Sequence, residues 1–246
     1  MGIRALIFDF DGLILDTETP EVEVWRTIYA EHGHDYPREN WSQIIGGWGN
    51  SAFDPARALQ ELEPKAVDLQ AVRSRHRDES NALIQRAPVM PGVQELLAAA
   101  RRLGLRCAIA SSSERAWVEP HLSRLGLLNH FEKIITGDDV PKGRTKPHPD
   151  IFLKALSALE LEAAHVLVLE DSPNGIRAAH TAGLRVVGVP NPVTATLALE
   201  AELVLSSLEE LPLEDILRRV DGIQPPRSLP ASLQDAPTQD TGSVPR

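Results

Sequence analysis

The chain has 246 residues, 42% hydrophobic and 24% charged, enough to bury the core of one α/β domain with an insertion, or of two small domains. Its 35 acidic residues outnumber the 25 basic ones, for a formal net charge of -10, and nothing in the pattern suggests a continuous basic face. That balance argues against nucleic acid and anionic membrane surfaces as partners.

The single cysteine, Cys107, sits in the apolar run Leu105-Arg106-Cys107-Ala108-Ile109 and reads as a small core residue. No apolar run reaches membrane-spanning length, and the N-terminus enters a strand without a charged-then-apolar leader, so a cytoplasmic monomer is expected.

Residues 4–10 form a short apolar run ending in acids and Gly12, the pattern of a buried strand with polar chemistry at its carboxyl end. From about 17 to 86 the chain turns polar and helical. Trp25, Ile28 and Tyr29 fall at helix spacing, Thr19-Pro20 marks the start and Gly33 the stop. The segment Gly46-Gly47-Trp48-Gly49-Asn50 breaks this block as a loop. Val93, Leu96, Leu97, Ala100 and Leu103 then predict one face of a helix, followed by a strand near 106–110.

The next helix carries Val118, Leu122 and Leu125, with Pro120 predicting a kink or a late start. A strand near 133–135, a helix near 150–159, a strand at 165–169, a helix near 174–182 and strands near 185–189 and 203–205 complete the series. Strands alternating with helices predict an α/β fold, a Rossmann-like parallel sheet core with an inserted all-α cap. The expected division is a core of residues 1–16 and 88–222, a cap of 17–87, and a Pro- and Ser-rich tail of 223–246 that is expected to be disordered.

Four clusters fall at predicted strand ends, where open α/β sheets bind ligands. They are Asp9-Phe10-Asp11-Gly12 followed by Asp16-Thr17-Glu18, then Ser111-Ser112-Ser113, then Lys146, and last Glu170-Asp171-Ser172-Pro173-Asn174-Gly175. Singly, each has an ordinary reading as a turn, a helix cap or a surface lysine. Together and in this order they make a phosphoryl-transfer set. Asp9 and Asp171 can hold one Mg2+, a cation that favours hard oxygen ligands. Ser111 can donate to a phosphoryl oxygen, and Lys146 can neutralise the charge of the transition state.

This pattern of Asp-x-Asp-Gly, a strand-end Ser, Lys-Pro-x-Pro-Asp and Glu-Asp-Ser-x-x-Gly resembles the haloacid dehalogenase superfamily, and the long helical insertion resembles the cap of its β-phosphoglucomutase-like branch. The resemblance implies a phosphatase in which Asp9 attacks phosphorus while Asp11 protonates the leaving oxygen and later activates water. Asp9, Asp171, the backbone carbonyl of Asp11 and, directly or through water, Glu170 would hold Mg2+. Ser111, Ser112 and Lys146 would bind the phosphoryl group. The second aspartate argues against dehalogenation, which does not need this acid.

Mutases of this branch carry a cap histidine and a cap arginine where this chain has Glu21 and Asn50, so hydrolysis of a small phosphorylated metabolite, a sugar or polyol phosphate, is expected over a sugar phosphomutase activity. Glu18 and Trp48 are the candidates for substrate discrimination, and Trp48 reads equally well as a packing residue. A non-catalytic phospho-acceptor module would place its acceptor after a middle strand and would lack an insertion of this length.

Overall fold

The computed structural model describes residues 2–37, 53–63 and 67–223. Trp48 and Asn50 lie outside the described residues, as does most of the tail. Six strands form one sheet in the order β3-β2-β1-β4-β5-β6: β1 (Ala5–Phe8), β2 (Arg106–Ala110), β3 (Lys133–Ile135), β4 (Val166–Glu170), β5 (Arg185–Gly188) and β6 (Leu203–Val204). Every neighbouring pair is parallel.

The central strand shows why the sheet needs cover on both sides. Leu6 and Phe8 point to one face, where Val93, Leu96 and Leu97 of α4 (Val93–Arg102) and Val118 and Leu122 of α5 (Arg115–Arg124) pack. Ala5 and Ile7 point to the other face, against Ile151 and Phe152 of α6 (Asp150–Leu159) and Ile176 and Ala179 of α7 (Pro173–Thr181). A strand buried on both faces reads as a continuous apolar run.

Between β1 and α4 lie α1 (Glu18–Glu31), α2 (Pro55–Leu62) and α3 (Leu69–Ile84). They close their own small core around Trp25, Ile28, Tyr29, Ala56 and Leu59. No helix among the described residues is long and apolar enough to cross a membrane.

Local detail departs from the sequence reading at four points. Helix α1 begins at Glu18, ahead of Thr19-Pro20, with Thr17 at the cap position; the Asp16 carboxylate, one residue earlier, accepts from the Thr19 N–H at 2.9 Å and satisfies a first-turn donor. Leu103 follows the last residue of α4 and is 43% exposed rather than packed. Helix α5 does not start late: it runs through Pro120, which lies on the exposed side, where the lost backbone donor is cheapest. A final helix α8 (Leu213–Val220) was not foreseen, although Leu213, Ile216 and Val220 carry its spacing. It docks on the α4 side of the sheet, and buried Arg185 donates to the Val220 carbonyl at 2.9 Å.

Candidate active site

The carboxyl ends of β1 and β4 meet at the middle of the sheet, and the first and last acidic clusters meet there with them. Asp9 directly follows β1, its N–H bonded to the Leu169 carbonyl at 3.0 Å. Glu170 closes β4, and Asp171 is next. One oxygen from each of Asp9, Glu170 and Asp171 lies within 4.8 Å of the others, and all three residues are buried.

Two glycines make this crowding possible. Gly12 has φ 82°, and a Cβ there would lie 2.2 Å from Asp171 Oδ2. At Gly175 a Cβ would lie 1.7 Å from Glu170 Oε1, so only glycine lets the first turn of α7 pass over that carboxylate.

Lys146, only 2% exposed, is the cation of the cluster. Its Nζ donates to Asp9 Oδ1 and, at 2.6 Å, to Glu170 Oε1, with the Phe152 ring 5.3 Å away. Glu170 Oε2 accepts from the N–H groups of Asp171 and Ser172 and from the Ser172 hydroxyl. Glu170 therefore anchors Lys146 before it offers anything to a metal.

The electrostatics ask for a further cation. Burial drives the Asp9 carboxyl up to about 8, with Lys146 opposing and Glu170 and Asp11 adding. Burial raises Asp171 well above the carboxylate range, helped by the charges of Glu18, Glu170 and Asp9. Burial also acts against the Lys146 ammonium, but Asp9 and Glu170 outweigh it and hold the lysine above its ordinary value. Three buried carboxylates share one ammonium, and their oxygen donors suit a hard divalent ion.

Asp11 stands apart from this cluster. Its carboxylate accepts from Ser113 Oγ at 2.6 Å, Ser111 Oγ at 3.2 Å and the Trp117 indole N–H at 2.9 Å. Trp117 is itself set edge-on to His121, with ring centroids 4.5 Å apart. Ser111 is fully buried just past β2. Ser112 is half-buried, and the hydroxyl joining Ser111 at Asp11 is that of Ser113.

Glu18, the first residue of α1, is buried and accepts from the Asn191 amide at 2.8 Å. Burial lifts it to about 8; the Asn191 bond opposes this, and Glu21, Asp11 and Asp9 add to it. Cys107 is buried, and burial pushes its thiol up to about 12, the setting of a core residue and not of a nucleophile. The sequence reading missed Ser113, Trp117 and Asn191. Ser113 lay inside a named cluster, whereas Trp117 and Asn191 had no motif to mark them.

The haloacid dehalogenase-like hydrolase family matches residues 6–189. The chain belongs to that family. YhcW of Bacillus subtilis is 43% identical over 80% of this chain and 88% of its own length. Hexitol phosphatase B of Escherichia coli is 30% identical over 87% of this chain and 97% of its own. The fold is shared with the β-phosphoglucomutase of Clostridium difficile (TM-score 0.66, 24% identity, 89% of this chain and 98% of that one). This hydrolase is a phosphatase, an enzyme that cleaves phosphoric monoesters.

Proposed function

We propose that this phosphatase hydrolyses a small phosphorylated metabolite, a sugar or polyol phosphate, through an aspartyl phosphate on Asp9 with Mg2+ as cofactor. The observation that carries the reading is the convergence of Asp9, Glu170 and Asp171 at the strand ends, with Lys146 paired to Asp9 and Glu170.

Asp9 Oδ forms a bond to phosphorus as the ester P–O bond breaks, and the leaving oxygen takes a proton from Asp11. Water then attacks phosphorus and gives its proton to Asp11. Asp9 is released as a carboxylate together with inorganic phosphate. Asp9 and Asp171, with Glu170 behind them, would hold Mg2+. When bound, that ion offsets the repulsion between an anionic nucleophile and a dianionic ester. Lys146 neutralises charge on the transferring group, and Ser111 and Ser112 line the phosphoryl side. The helices of residues 17–87 act as the cap over this edge.

Glu18 is a buried acceptor at the entrance to α1, suited to a substrate hydroxyl, and the hexitol phosphatase relative favours a polyol or sugar. Glu21 lies one turn along α1, and its charge adds to the burial that raises Glu18. A second phosphate would meet the Glu21 carboxylate there, which favours hydrolysis over the mutase reading.

The test is a screen of phosphorylated metabolites and an aryl phosphate, with β-glucose 1-phosphate run with and without a bisphosphate activator. Magnesium-dependent phosphate release that chelator abolishes is expected. Activity indifferent to chelator counts against the metal, and activator-dependent isomerisation without phosphate release establishes the mutase instead.

The donors around Asp11 carry their own prediction. Trp117→Phe keeps the ring and deletes one hydrogen bond to Asp11, an interaction of about 1.5–3 kcal/mol in the step where Asp11 is a carboxylate and activates water. Turnover is expected to fall by roughly 10- to 100-fold with KM within about twofold, since Asp11 acts on the proton and not on substrate binding. Steady-state kinetics check it, and an unchanged kcat removes Trp117 from the orientation of Asp11.

A further inference from the structure

The loop after β5 places one neutral side chain between two of the buried acids. The Val189 N–H bonds the Glu170 carbonyl at 2.7 Å, which carries the chain past the end of β4, and Asn191 follows two residues later at 2% exposure. Its Nδ2 donates to Asp171 Oδ2 at 2.6 Å and to Glu18 Oε2 at 2.8 Å. Its Oδ1 accepts the N–H groups of Val193 at 2.8 Å and Thr194 at 2.9 Å.

Both hydrogens and both lone pairs of the amide are used, so its orientation is fixed: reversing it would set its oxygen against two carboxylates. Its own N–H is held by Thr194 Oγ1 at 2.8 Å, which fastens the loop from the other side. Gly12 completes the packing, because a Cβ there would lie 2.5 Å from Asn191 Nδ2.

We propose that Asn191 is a positioning residue that orients Asp171 toward the cation and ties it to Glu18 at the start of the inserted helices. The inference rests on the proposed metal-dependent reading of this site and adds a residue to it. A carboxamide suits the place. An ammonium there would cancel the charge the cation needs, whereas an amide fixes one oxygen of Asp171 and leaves the acid its charge. Hydrogen bonds behind a metal ligand set its direction, and their loss typically weakens metal binding about 10- to 100-fold. The two bonds from one nitrogen also join the first residue of α1 to an acid at the end of β4, so the position of the helices and the direction of Asp171 are linked.

The alternative is that Asn191 only shapes its own loop through Oδ1. Two full-length variants separate these roles. Asn191→Leu removes every side-chain hydrogen bond, whereas Asn191→Ser retains a short acceptor for the Val193 and Thr194 N–H groups and reaches neither carboxylate. Mn2+ binding is measured directly by the paramagnetic resonance of the free ion, without substrate, beside the melting temperature of each metal-free protein.

A Kd raised about tenfold or more in a folded variant, Asn191→Ser included, is the expected result. Folded variants that bind Mn2+ within about twofold of the parent overturn the proposal, and so does failure of both variants to fold, which assigns Asn191 to the loop. A parent chain that binds no Mn2+ overturns the metal reading and this inference together. A parent that binds Mn2+ but hydrolyses no phosphate ester overturns the phosphatase chemistry and leaves the role of Asn191 standing.

Discussion

Asn in place of Asp9 is expected to lower turnover of a phosphate ester by roughly three to six orders of magnitude, because a carboxamide oxygen is a poor nucleophile and the remaining groups bind substrate without a bond-forming partner. The same change should not destabilise the metal-free protein. Burial holds Asp9 up to about 8, against an ordinary value of 3.8. An acid whose folded value is raised contributes its stability below the unfolded value, and that contribution is lost as pH rises through the folded one. Asn has no such proton to lose. The melting temperature of Asp9→Asn minus that of the parent should therefore grow as pH climbs from about 4 to about 8, measured without metal. A bound divalent ion inverts this local logic, so excess Mg2+ should narrow the gap. Turnover equal to that of the parent removes Asp9 as nucleophile, and a gap that shrinks with pH removes the buried-charge argument.

Such a site is destabilising by construction, which explains which parts of it were legible in the sequence. A strand buried on both faces must be apolar, so 4–10, 106–110 and 165–169 announced themselves, and the polar residues that interrupt their ends stood out. Asp9, Lys146, Glu170 and Asp171 do lie together. Supporting residues have no such contrast. Trp117 occupies the first turns of α5, where an aromatic reads as packing, and only the three-dimensional approach of its N–H to Asp11 shows its use. Asn191 stands between two prolines, where turn chemistry is its ordinary reading. In the run of three serines the sequence pointed to Ser111 and Ser112, but the hydroxyls that meet at Asp11 are those of Ser111 and Ser113. Helix α8 was missed for another reason: its apolar residues are separated by Arg218, Arg219, Glu214 and Asp215, so a helix of eight residues shows little contrast.

Lys146→Met is expected to damage stability and turnover through different partners. The methionine fills much the same space beside Phe152, but it leaves Asp9 and Glu170 without the one cationic side chain that the described residues bring to them. Breaking a buried ion pair by removing one partner costs about 3–5 kcal/mol. For a chain of this size that corresponds to a melting temperature lower by roughly 6–20 °C at pH 8 without metal. The loss should shrink toward pH 5, because Asp9, already lifted by burial, then holds a proton and needs no counter-charge. Turnover should fall by roughly 100- to 1,000-fold, the usual effect of deleting one group that stabilises developing charge. Magnesium separates the two roles. A divalent ion among the same acids supplies charge to Asp9 and should recover part of the melting temperature, yet it does not replace an ammonium aimed at the transferring phosphoryl group. Recovery of stability without recovery of turnover is thus the signature of a lysine that serves the fold and the reaction at once. Recovery of both would make Lys146 a counter-ion only, and a variant with unchanged melting would mean Asp9 and Glu170 never carried the charge that their pairing with Lys146 assigns them.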